Sequence, residues 1–134
     1  MPAKMVVNPL HYFIRILIVL ALLAACSPTH LEEDSMYTLE IDLQEGFDGD
    51  QVVIEINGKE AFRQENVSTK LLLGYAETKA FPLPPGETTV TISLPQKQQT
   101  TTINLNLEAN TYLGVSVTPA GLEYILSDKP FFYQ

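Results

Sequence analysis

The chain has no tryptophan, one cysteine and two histidines, and its eight basic residues face sixteen acidic ones. Each shortage removes a class of chemistry. One thiol closes no intrachain disulfide, and zinc sites built from several Cys or His ligands lack their donors. His11 and His30 both lie in the first thirty residues, ahead of any strand-like pattern. A Ser-His-Asp triad or a His-based metal centre on such a segment would not hold its geometry. The missing tryptophan weakens a sugar-stacking platform without forbidding one built from tyrosine. The acidic excess argues against nucleic acid and anionic headgroups as partners, since both are polyanions. Long apolar runs are missing too. Ile16 to Ala25 spans ten residues, half of the roughly 20 that a membrane-crossing helix needs.

What is present at the amino terminus has three zones. Residues 1–15 carry Lys4, His11 and Arg15 and no acid; "ILIVLALL" follows; Ala24 and Ala25 then precede Cys26. A basic start, a short apolar core and small residues are the order of a secretory signal peptide. Residues 1–25 are therefore expected to be a cleaved leader, cut between Ala25 and Cys26. Residues 26–36 read as the anchoring cysteine and an acidic tether, and 37–134 as the folded domain. Without the leader about 109 residues remain, one domain's worth. Six basic and sixteen acidic residues then give a net charge of about −10.

Leu23-Ala24-Ala25-Cys26 resembles the lipobox of bacterial lipoproteins. The resemblance implies that the Cys26 thiol receives a diacylglycerol, that the leader is cut before it, and that the new amine is acylated. One acyl chain holds a protein marginally and two hold it stably, so Cys26 is read as an anchor rather than a nucleophile. In that family the residue after the cysteine influences sorting. Ser27 is not the aspartate that retains such proteins at the inner membrane, so the outer membrane is expected where the host has one. In a host with a single membrane, its outer face is expected. A chance cysteine behind an ordinary signal peptide is the competing reading.

From Tyr37 the apolar period is two. Tyr37, Leu39, Ile41 and Leu43 alternate with polar residues, as do Val52, Ile54 and Ile56; Val90, Ile92 and Leu94; and Ile103, Leu105 and Leu107. Leu113, Val115 and Val117 open another strand and "LEYIL" a further one. Turn signals such as "EGFDGD", "NGK", "PLPPGE" and "TPAG" separate them. Seven or eight short strands without a helical period predict an all-β fold, a single antiparallel β-sandwich. At Asn57-Gly58 two registers compete. A two-residue loop sets Glu55 against Glu60 and turns Phe62 away from Ile54. A three-residue loop, Ile56 to Gly58 with Gly58 in a bulge, pairs Glu55 with Lys59 and Val52 with Phe62, and is the one expected. "STKLLLGYAETKAF" is expected to form a strand leading into a corner at Pro82, Pro84 and Pro85, since proline belongs at an edge or connection. That Pro-Pro-Gly corner with its alternating threonines resembles transthyretin-like and immunoglobulin-like domains of bacterial surface proteins, a likeness of fold that carries no functional residues.

Few residues invite a site. Asp48 and Asp50 in "FDGD" have the oxygen chemistry calcium needs, but not the spacing of an EF-hand, and a surface turn is the preferred reading. Tyr75, Tyr112 and Tyr124 fall at the core's edge. The tail "DKPFFYQ" puts Phe131, Phe132 and Tyr133 beside the carboxy terminus. They are expected to fold across an open end of the sandwich, with an exposed partner-binding patch as the alternative. The function expected is that of a non-catalytic, lipid-anchored envelope protein acting as a binding or structural accessory. It needs no cofactor beyond its acyl chains, and its partners are the membrane and an envelope protein or glycan. A small-ligand or carbohydrate-binding lipoprotein is the alternative, and a hydrolase working through paired carboxylates comes third.

Overall fold

The structure is a computed structural model and describes residues 35–134. Ala25, Cys26 and the tether up to Asp34 lie outside the described residues. Eight strands follow one another: β1 (Tyr37–Leu43), β2 (Asp50–Ile56), β3 (Lys59–Val67), β4 (Glu77–Leu83), β5 (Gly86–Leu94), β6 (Gln99–Leu107), β7 (Thr111–Thr118) and β8 (Gly121–Ser127). A one-turn 3-10 helix, Pro95–Lys97, joins β5 to β6. The strands form two four-stranded sheets, β4-β1-β7-β8 and β3-β2-β5-β6. The expected β-sandwich is thus the fold, with one pairing that departs from antiparallel: β1 and β7 run parallel. The order departs from the immunoglobulin likeness. In immunoglobulin domains the second and third strands belong to different sheets, whereas here β2 and β3 form a hairpin within one sheet.

The alternating positions read from the sequence are those that meet between the sheets. Leu39, Ile41, Leu43, Leu113 and Val115 from one sheet face Val52, Ile54, Val90, Ile92 and Ile103 from the other, all buried. Pro82 lies in β4, an edge strand that pairs only with β1, and Pro84-Pro85 make the connection to β5. Beside this edge, Gln64 of β3 donates a hydrogen bond to Glu77 of β4 at 3.0 Å. Lys79, at an inward position on β4, stands 5.4 Å from the centre of the Phe62 ring. A charge so placed blunts an edge strand against further pairing.

Two expectations are corrected. The β2–β3 loop has two residues, not three: Ile56 pairs with Lys59 and Glu55 with Glu60. Asn57 and Gly58 have φ of 51° and 78°, the left-handed pair of a type I′ turn, whose twist matches the flanking strands. Asn57 is held there by its side-chain oxygen, which accepts from the Thr89 N–H at 2.9 Å. The bulge falls further along, at Ala61, because Phe62 pairs with Ile54. One extra residue turns Phe62 back toward the core, and Glu60, facing Glu55, is neutralised by Arg63 at 2.5 Å. The second correction concerns "KLLLG". It is a tight turn, and the strand after it begins at Glu77.

Candidate functional site

The chain's most unusual chemistry gathers where β1 ends and the carboxy-terminal tail returns. Asp42 stands between the core residues Ile41 and Leu43 on β1, so it belongs to the outer face of its sheet, yet it is only 3 % exposed. Tyr133 covers it. The Tyr133 hydroxyl donates to Asp42 Oδ2 at 2.6 Å and accepts from Gln44 Nε2 at 3.1 Å. Gln44 reaches the phenol across Gly114, where any side chain would collide with it. The Tyr133 ring also packs on Tyr75, centroids 4.8 Å apart and tilted by 41°, and touches the open side of Gly74. Burial and the bond to the Asp42 carboxylate raise the Tyr133 pKa well above the usual tyrosine value. Partial burial, then the Asp42 charge, raises that of Glu40.

The tail therefore lies along the outer face of a sheet, not across an open end of the sandwich. Its three aromatics separate. Tyr133 is pinned, Phe131 is half-buried, and Phe132 is 88 % exposed. Phe132 and Tyr133 line a shallow cleft of about 410 Å³ with Gln44, Ser116 and Ile125. On β8, the free edge of this sheet, Tyr124, Ile125 and Leu126 are all exposed.

The acidic loop has a structural task. Asp50 is buried, takes Lys97 as an ion-pair partner at 2.8 Å, and accepts the Asp48 N–H at 2.9 Å. That is a side chain closing its own turn, with its oxygens already bound. Asp48 remains exposed beside it. The two buried carboxylates among the described residues, Asp42 and Asp50, stand on different sheets.

The feature missed in the sequence is the loop between β3 and β4. Leu71 and Leu72 are 95 % and 96 % exposed, and Leu73 is 45 % exposed. Three adjacent apolar residues have no period, so they resemble a buried strand until Lys70 and Gly74 are seen as a turn. No protein-family model, curated protein or solved structure matches this chain.

Proposed function

We propose that this chain is a bacterial lipoprotein held in the cell envelope through Cys26, its β-sandwich acting as a non-catalytic binding or structural module. The observation that carries this reading is Leu23-Ala24-Ala25-Cys26 behind a short apolar run and a basic start. Ser27 favours the outer membrane where the host has one. The described domain adds support of its own kind. Its exposed surface includes the apolar protrusions Leu71, Leu72 and Phe132, which suit docking. A small-ligand reading is second. It rests on the cleft of about 410 Å³ beside Tyr133, within the roughly 300–1,000 Å³ of ligand pockets, although that tyrosine ring is already packed on Tyr75.

The test is Cys26→Ala in the native host. The variant is expected to accumulate with its leader attached and to incorporate no labelled fatty acid. Processing and labelling at wild-type levels would refute the anchor.

A further inference from the structure

Leu71 and Leu72 stand almost wholly in water on a two-residue tip. A run of exposed apolar side chains in a folded domain marks a contact surface. The tip is also stiffly built. Leu73 and Gly74 both donate backbone bonds to Lys70 O at 2.9 Å, and Lys70 donates to Tyr75 O at 3.2 Å. Thr69 fastens the base to the neighbouring loop: its hydroxyl donates to Gln44 O at 2.6 Å and accepts the Phe47 N–H at 3.1 Å. Gly74, with φ of 76°, completes the turn and lets the Tyr133 ring pack against it. The leucines are held outward by hydrogen bonds rather than left there by slack chain.

We propose that this tip is a membrane-insertion loop, with Leu71 and Leu72 entering the interface of the bilayer that holds the chain and Lys70 lying at the level of the lipid phosphates. The inference rests on the anchoring through Cys26 for its delivery to that surface. Three observations select lipid over a protein groove. A protrusion of nearly full exposure needs a partner with a matching hole, whereas a fluid bilayer takes any small apolar protrusion. Ser68 to Ala76 carries a single charge, the cation Lys70, which suits lipid phosphates, while the acids Glu45 and Asp48 line the recess beside Leu71. The reach is adequate as well. The tip lies at the far end of β1, since Ala76 N–H bonds Leu43 O at 2.6 Å. β1 has seven residues, about 23 Å of strand. The ten residues from Ser27 to Met36 span up to about 33–36 Å, enough to bring that far end to the same membrane. Two leucines alone hold a bilayer marginally, and a covalent anchor supplies the local concentration that makes a second contact effective.

The absence of tryptophan provides the probe. Leu72→Trp and, on the outer face of the other sheet, Asn104→Trp each introduce a single indole into the full chain, reconstituted in phosphatidylcholine vesicles. The Leu72→Trp emission is expected to shift to the blue, to be quenched by brominated acyl chains and to resist aqueous iodide, while Asn104→Trp does none of these. Equal iodide quenching at both positions would overturn the proposal. So would shielding of Leu72→Trp in native envelope membranes but not in lipid vesicles, which would make the occupant a protein. Leu71→Ser/Leu72→Ser is expected to melt with wild type, showing that loss of insertion is not loss of fold. A free Cys26 thiol would contradict the anchoring reading, whereas equal quenching of both indoles in protein whose intact mass shows Cys26 acylated would overturn the tip alone.

Discussion

The Tyr133 hydroxyl is the only hydrogen-bond donor that the described side chains offer to the buried carboxylate of Asp42, whose Oδ1 has no partner. Removing that donor leaves a sealed polar group worse served than before, which costs about 1–3 kcal/mol. Tyr133→Phe is therefore expected to lose that much stability in urea unfolding, although the ring still packs on Tyr75. The pH dependence has a definite sign. Because the folded-state Tyr133 pKa is raised above the ordinary 10, its contribution is complete below pH 10 and is lost as pH climbs through the raised value. Wild type should keep its margin over Tyr133→Phe up to about pH 10 and surrender it only in stronger alkali. Equal midpoints at neutral pH would show that the tail is not held by this bond.

At the scale of elements, period-two alternation is legible because each strand has one face in the core, and a one-residue slip would put every apolar side chain in water. Loop chemistry is less legible, for local reasons. At the β2–β3 hairpin, Gly58 suits a bulge within the turn, but the extra residue lies at Ala61 and the like charges Glu55 and Glu60 are relieved by Arg63. A salt bridge three residues along the same strand leaves no mark in cross-strand pairing. Nine residues of β3 run against seven of β2, with register breaks at two places. Phe62 owes its place opposite Ile54 to one of them. Ile54→Ala, at a wholly buried position, should cost about 2–5 kcal/mol in denaturant unfolding. Phe62→Ala, at a half-buried one, should cost less despite its larger side chain. The reverse ranking would mean that Phe62, not β2, carries the centre of the core.

For the whole molecule, two sheets enclose one apolar core, and what is left outside decides how the domain meets its surroundings. Composition alone indicates that few catalytic groups are available. It does not show that the exposed apolar groups collect at Leu71–Leu73, Phe132 and the free β8 edge, because three leucines in a row look alike in a core and on a tip. Nor does it show that Tyr133 turns inward while its neighbour Phe132 stays in water. That depends on Asp42, 91 residues away in sequence. The reading of the molecule as an anchored envelope module depends most on Cys26, and intact-mass analysis of the protein purified from its own membrane addresses it directly. The expected mass is that of the chain beginning at Cys26 with diacylglycerol on the sulfur and a further acyl group on the amine. A free thiol at Cys26, or a chain that begins at any other residue, would contradict it.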